Sequence, residues 1–593
     1  MTLPPLDLSA LQEGYLSGAL TPLGVVEDVL DRIAVRGADG VWISLVEPDL
    51  VRAAAAGLDP ATRDSPLWGV PFAVKDNIDA LGTLTTAGCP GFAYAPDASA
   101  PLVDRLVAAG ALLIGKTNLD QFATGLNGTR SPYGVPTSVA DPRLISGGSS
   151  SGSAVAVAAG LVSFAVGTDT AGSGRVPAAL NGVVGTKPSR GLVSTRGVVP
   201  ACRSLDCPSV FALTVGDATT VLAAIAAYDD LDPFSRPLPV PSPGVSPSPV
   251  AGLRIGVPDV IDAWGARGER SCWEELLGKL AAAGSVLVPV GMEPFFDAGD
   301  QLYGGAWLAE RLSGIEGFVG PRRDQVLPVI HEVLRGAEAI SGVDTFTALD
   351  RMRERRRTVA KALAGIDVLL TPTVTGTFEI AEMLADPVAL NTRLGRFTTF
   401  TNLLDLCAVA VPAGRGPGGH PFGVTVQAAA GKDGRVAAVG AAIEALLAES
   451  TVPAAARPTS GGEALDLAVV GAHLAGFPLH GQLVDLGAEL VVRTRTAPRY
   501  RLYRLPGAVP PKPGLRRVEA GGAEIAVEVY RVPLTEVGRF LAQVASPLAI
   551  GQVELVDGSM VHGFVCEPWV LDGAEDISDH GGWAAYLEST SAG

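Results

Sequence analysis

Three short stretches hold residue types suited to acyl-transfer chemistry. "GTDTAGSGR", Gly167 to Arg175, sets Ser173 among three glycines and two threonines. Such a segment is a poor helix former, and its glycines let backbone N–H groups come close to a small ligand. One reading is a polar turn between strands; the other is a nucleophilic serine ringed by backbone donors. A serine nucleophile needs a base. No histidine precedes His331, and the surroundings of Ser173 lack the GxSxG nucleophile elbow. Lysine is the next candidate. The chain has seven lysines against 38 arginines, and Lys75, Lys116 and Lys187 fall in its first 200 residues. Arginine cannot be deprotonated in a protein, so a lysine kept against that background can serve proton chemistry. Lys75 closes the apolar run "GVPFAVK", where desolvation lowers an amine's pKa toward neutrality; the alternative is a strand end facing solvent. The third stretch, "SGGSSSGSAVAVAAG" from Ser146, leads from glycines and serines into a small-residue helix. It reads as a flexible capped loop, or as hydroxyls at a positive helix end able to relay a proton between Ser173 and a neutral lysine.

Something must bring these three stretches together. The first 60 residues show helical periodicity, with Thr21 as N-cap and Pro22 at the first helical position of "TPLGVVEDVLDRIAV". Strand-like runs follow, "GVPFAVKD", "ALLIGKT" and "SFAVGTDT", alternating with small-residue helices. That alternation predicts an α/β domain with a mixed sheet under helices. The proline-rich stretch from Asp232 to Pro249 precedes another buried strand, "LRIGVPDV", and is expected to be an extended surface crossing within one large domain. The better boundary is "ESTVPAAARPTSGGEA", Glu449 to Ala464. The expected division is a domain over 1–450, a linker over 451–463 and a small α+β domain over 464–593.

Composition narrows the classes. With 593 residues the chain is too long for one core, and 47% hydrophobic against 18% charged residues suits a large, well-buried enzyme. A net charge of −17 argues against nucleic acid and against an anionic membrane surface as partner. The six cysteines form neither a CxxC pair nor a site with histidine, and read as reduced, buried residues of a cytoplasmic protein. The N-terminus lacks a signal-peptide pattern, and the most apolar segment, from Ser153, is too short to span a bilayer.

The segment Gly147 to Ser189, "GGSSSGSAVAVAAGLVSFAVGTDTAGSGRVPAALNGVVGTKPS", resembles the long signature of the amidase signature family, and "GVPFAVKDNID" and "LIGKTNLDQF" match its flanking blocks in the right order. The resemblance implies the amidase signature fold, a mixed β-sheet covered by helices. It implies a Ser–Ser–Lys triad: Ser173 as nucleophile, Ser149 as bridging serine with a cis peptide bond, and Lys75 as base, at the family's 24-residue spacing between the serines. It also implies an oxyanion hole made by the backbone N–H groups of Thr170, Ala171, Gly172 and Ser173, with structural roles for Lys116 and Lys187, and no metal or organic cofactor. Ala171 departs from the glycine of many members, at little cost because the contribution there is a backbone amide. Asp169 and Arg175 are expected to brace the loop.

Family membership leaves the amide open. "GVVPACRSLDCPSVFALT", "QLYGGAWLAERL" and "TNLLDLCAVAVPAG" are similar to the allophanate hydrolase branch, where Tyr303 and Arg311 match the residues that grip the substrate's carboxylate. Eight apart in one helix, they lie near one face; sequence context alone favours a solvated helix charge for Arg311. The final segment, with "LAVVGAHLAGFPLHGQL" and "GSMVHGFVCEP", resembles the C-terminal domain of such hydrolases, with His473 as a candidate base helped by Glu567. The implied reaction is hydrolysis of the terminal amide of allophanate (urea-1-carboxylate), releasing ammonia, in a homodimer. Alternatives are a general small-amide or biuret-type amidase, and a non-enzymatic scaffold, which the complete triad disfavours.

Overall fold

The buried apolar runs become strands and the small-residue runs become helices. The computed structural model describes residues 6–451 and 464–591, apart from positions 476, 485, 487, 507–510, 534–536, 538, 539, 541–543, 545 and 572. From residue 452 on, the expected linker lies outside the described residues. The chain divides into two units, Met1–Ala448 and Glu449–Gly593.

The first unit is built on one mixed sheet of eleven strands: β1 (Trp42–Leu45), β2 (Pro71–Lys75), β3 (Leu112–Thr117), β4 (Phe164–Thr168), β5 (Val184–Lys187), β6 (Pro208–Ala212), β7 (Arg254–Pro258), β8 (Val286–Val290), β9 (Val368–Pro372), β10 (Leu406–Arg415) and β11 (Pro421–Ala429). Their order is β1-β3-β2-β4-β6-β5-β10-β11-β9-β7-β8. β2 runs parallel to β3 and β4, and β7 to β8 and β9; every other neighbouring pair is antiparallel. Every residue of β2 and β4 is buried, so both faces are covered, as parallel strands require.

The short helix Ser151–Ala158 packs on β2, β3 and β4, and the helix Arg175–Asn181 packs on β5, β10 and β11. Small side chains let these buried helices lie close to the sheet and to each other. At the start of the chain, Thr21 caps the helix Pro22–Arg36, accepting from the Gly24 N–H at 3.1 Å. The proline-rich segment runs mostly over the surface with neither helix nor strand. "QLYGGAWLAERL" is not one helix: Gly305 is extended (φ −136°, ψ −161°) and separates Gln301–Gly304 from Trp307–Ser313.

The second unit has a five-stranded sheet, in the order Glu489–Arg495, Ala526–Pro533, Ala464–Val469, Met560–Cys566, Leu548–Glu554, and a three-stranded sheet of Pro513–Arg517, Tyr500–Arg504 and Glu575–Asp576. Its own apolar core includes Leu467, Val469, Tyr500, Val529 and Trp583.

Candidate active site

Parallel pairing of β2 with β4, Val74 opposite Val166, brings the two strand ends to the same edge of the sheet. Lys75 ends β2 and Thr168 ends β4. The carboxyl edge of parallel strands is where open α/β sheets place their ligands. The loop 169–174 leaves β4 there, and the loop before the helix Ser151–Ala158 lies beside it. The Ser150 N–H donates to the Ser173 carbonyl at 3.3 Å.

Lys75 is fully buried, not facing solvent. Its Nζ donates to Ser149 Oγ at 2.8 Å and to Thr168 Oγ1 at 2.7 Å. Burial pushes its pKa down to about 7, against the pull of the Asp120, Asp206 and Asp169 carboxylates. The other early lysines are differently occupied. Lys116 donates to the Leu84 carbonyl and to Thr85, 3.4 Å from the buried Asp76; Lys187 donates to the Pro188 carbonyl at 2.6 Å. The Gly148–Ser149 peptide is cis. Ser149 and Ser173 are both buried, but no hydrogen bond joins them. The Ser173 hydroxyl instead points at the Gly125 carbonyl, at a long 3.5 Å.

The loop that carries Ser173 is fixed from behind. Arg175 grips both oxygens of Asp169, at 2.9 and 3.0 Å, and reaches Thr401 Oγ1 and the Thr398 carbonyl. Burial opposes the Asp169 carboxylate, but Arg175 outweighs it and holds the group below the usual carboxylate range. Asp169 also takes the N–H groups of Gly174 and Arg175. The N–H groups of Thr170, Ala171, Gly172 and Ser173 have no acceptor among the described residues: four consecutive donors in the loop that carries Ser173. Gly172 sits at φ +139°, and a Cβ there would stand 2.3 Å from Thr398 Oγ1. Ala171 needs no such conformation.

Arg311 is 1% exposed, contrary to a solvated helix charge. Its NH1 donates to Thr124 Oγ1 at 3.0 Å and, weakly, to the Ala123 carbonyl. Nε and NH2 have no partner among the described residues, and no carboxylate there pairs with the group. Tyr303 remains its neighbour despite the break, its ring 5.4 Å beneath the guanidinium. A buried guanidinium with free donors is a receptor for a planar anion.

Thr168, Thr124, Asp120 and Asp206 also belong to this site, and sequence reasoning missed them. Asp120 accepts the N–H groups of Asn127, Gly128 and Arg130, and Asp206 accepts the Thr170 hydroxyl at 2.5 Å. Burial raises the pKa of both carboxyls. All but Thr124 lie in segments with a recognisable pattern, but only tertiary structure gives them partners.

In the second unit, His473 stacks on Phe564 at 5.0 Å, with Nε2 2.9 Å from Gln482 Oε1. Burial lowers its pKa. The expected help from Glu567 is not formed: that carboxylate takes Ser546 and Trp569 instead. The buried Glu528 accepts from the N–H of Ala475, two residues beyond His473, and from Tyr530 and Arg493.

The amidase family model matches residues 24–437, and the model of the allophanate hydrolase C-terminal domain matches residues 465–588. The urea amidolyase of Saccharomyces cerevisiae is 39% identical over 597 residues, which cover 96% of this chain and 32% of that protein. A solved allophanate hydrolase of Kluyveromyces lactis superposes with a TM-score of 0.70 at 37% identity, covering 98% of this chain and 99% of that one. A solved peptide amidase, in complex with the competitive inhibitor chymostatin, superposes with a TM-score of 0.65 at 30% identity, covering 74% of this chain and 97% of that one. The chain spans about a third of the length of the urea amidolyases it matches.

Proposed function

The chain belongs to the amidase family, and from that premise we propose that it hydrolyses the terminal amide of allophanate through Ser173, Ser149 and Lys75. The observation that carries the chemistry is the buried Lys75 amine, held near neutrality and hydrogen-bonded to Ser149. Neutral Lys75 accepts the Ser149 proton, and Ser149 accepts that of Ser173, whose hydroxyl turns from the Gly125 carbonyl by rotation about one side-chain bond. Ser173 attacks the amide carbonyl, and its oxygen takes up negative charge beside the N–H groups of Thr170 to Ser173. The proton returns along the same path to the leaving nitrogen, which departs as ammonia. Water then cleaves the acyl-enzyme by the reverse relay and frees N-carboxycarbamate.

The choice of substrate rests on Arg311. A guanidinium buried with two unused donors suits the carboxylate of allophanate, with Tyr303 beneath it. A neutral amide in the same place leaves those donors unpaired, which disfavours the biuret-type reading. Similarity to both urea amidolyases and an allophanate hydrolase supports the same choice.

The reading includes a catalytic domain over 1–450 and a C-terminal domain over 464–593, in which His473 handles the dicarboxylate product. It also includes a homodimer in the cytoplasm, which six free, buried cysteines suit. Purified protein given allophanate, biuret, malonamate and glutamine in turn, with products read by mass spectrometry, tests the substrate. Preferred turnover of allophanate is expected; preference for biuret or glutamine overturns the assignment.

A further inference from the structure

Beyond the Tyr303 ring beneath it, Arg311 has few hydrogen bonds to hold it in place: one hydroxyl and one distant carbonyl. The helix that carries it, Trp307–Ser313, is seven residues long and cut off from the preceding turn at Gly305. A helix of that length is marginal without tertiary ties. Its main polar tie is Glu310, next to Arg311 in the chain, whose carboxylate accepts the N–H and the hydroxyl of Ser204, both at 2.8 Å. One turn earlier, the Trp307 carbonyl accepts the Cys202 thiol.

The segment Ala201–Asp206 that receives these ties is closed on itself. The N–H groups of Leu205 and Asp206 both donate to the Cys202 carbonyl, at 2.8 and 2.9 Å. Arg190 holds the Ser204 carbonyl at 2.6 Å. Asp206 takes the N–H groups of Ala201 and Cys202 with one oxygen each, at 3.0 and 3.1 Å, and the Thr170 hydroxyl at 2.5 Å. Thr170 is the first residue of the donor row beside Ser173. Leu205 belongs to the same apolar core as Ala171, Val176 and Trp307. The segment therefore touches the arginine helix at one end and the nucleophile loop at the other, and its internal hydrogen bonds keep it from stretching.

We propose that the loop Ala201–Asp206 is a rigid spacer that sets the distance between Arg311 and the nucleophile loop, with Glu310 and Ser204 as the positioning pair, so that the site selects an amide whose carboxylate lies at a matching distance. This rests on the reading of Arg311 as the carboxylate site. Neither Glu310 nor Ser204 touches substrate; both act through Arg311. Loosening the pair lets the arginine drift while the Lys75–Ser149 contact is untouched.

The test measures kcat and KM for allophanate and for biuret, its uncharged analogue of equal length, in full-length protein. The variants are Ser204→Ala, Ser204→Thr, Glu310→Gln, the Ser204→Ala/Glu310→Gln double and Arg311→Leu, with thermal melts to establish folding. Ser204→Ala and Glu310→Gln are expected to lower kcat/KM for allophanate about tenfold, the size of one charge-assisted hydrogen bond, through KM with kcat held. Biuret turnover is expected to stay put, the double to be no worse than Glu310→Gln, and Ser204→Thr to match wild type. Ser204→Ala is a mild change in a loop and keeps the test open if Glu310→Gln does not fold. If Arg311→Leu discriminates against allophanate but Ser204→Ala leaves both substrates unchanged or lowers both alike, the spacer is refuted and the carboxylate reading stands. If Arg311→Leu lowers both substrates equally, the carboxylate reading itself fails.

Discussion

Arg175 holds both carboxylate oxygens of Asp169 in a pair with no solvent exposure on either side chain. Removing one partner of such a pair strands a buried charge, which costs about 3–5 kcal/mol. Arg175→Ala and Asp169→Asn are each expected to lower the melting temperature sharply and to abolish activity together with stability. Chemical denaturation curves check this; wild-type stability in either variant would contradict the bracing role.

Ser173→Ala and Lys75→Ala should each remove turnover while leaving the fold intact by circular dichroism, with Ser149→Ala close behind. Because Lys75 acts neutral and its pKa lies at about 7, kcat/KM should climb with pH through that value and then level off. Wild-type rates with an unchanged pH profile in Lys75→Ala would sink the mechanism.

The same group leaves a mark on stability. Its folded pKa lies below the ordinary value of 10.5, so between about 7 and 10.5 the unfolded chain binds a proton that the folded chain does not. Folding is therefore favoured progressively as pH rises across that window, and the penalty is complete below it. Lys75→Met should flatten the slope. Denaturation midpoints of both proteins, compared from pH 7 to pH 10, measure it.

Gly172→Ala meets two obstacles, a φ of +139° and a Cβ only 2.3 Å from Thr398 Oγ1. The backbone part alone costs about 1–3 kcal/mol. Activity is expected to fall at least as much as stability, since the Gly172 N–H belongs to the donor row. Adding Thr398→Ala should recover part of the stability by removing the clash. No recovery would mean that the conformation, not the contact, demands glycine.

A chain ending at Ala456 retains the whole first unit, whose core is built from its own residues. It is expected to fold and to release the first ammonia from allophanate at close to the full-length rate, with carbon dioxide release assayed separately. A folded fragment unable to deaminate allophanate would end the proposed division of labour.

Local pattern makes part of this legible. The apolar run before Lys75 announces a buried strand, and burial is what lowers an amine's pKa. Thr21 and Pro22 announce a helix start, and the prolines from Asp232 a segment without helix or strand. What stays hidden is whatever depends on distant partners. Arg311 looks like a surface charge in the sequence because nothing in its helix reveals what covers it. The break at Gly305 has its signal in the pair Gly304–Gly305, but the apolar spacing runs on across it. Thr168 and Asp206 gain their roles only when β2 meets β4 and Ala201–Asp206 meets the nucleophile loop. The partners of Glu567, Ser546 and Trp569, are likewise set by the fold rather than by its place in the chain.

The brace on the nucleophile loop has a consequence in time. Arg175 is completed by Thr398 and Thr401, 223 and 226 residues further along the chain. At the ribosome, Ser173 emerges long before those threonines exist, and β5 waits for β10 to flank it. At roughly 5–20 residues per second that delay is on the order of tens of seconds. Through that interval the growing chain holds Ser173 and Lys75 but lacks the scaffold that aims them, so the proposed hydrolytic site is completed late and all at once. Contacts of such long sequence separation also slow refolding, and place this chain among those that leave the unfolded state reluctantly.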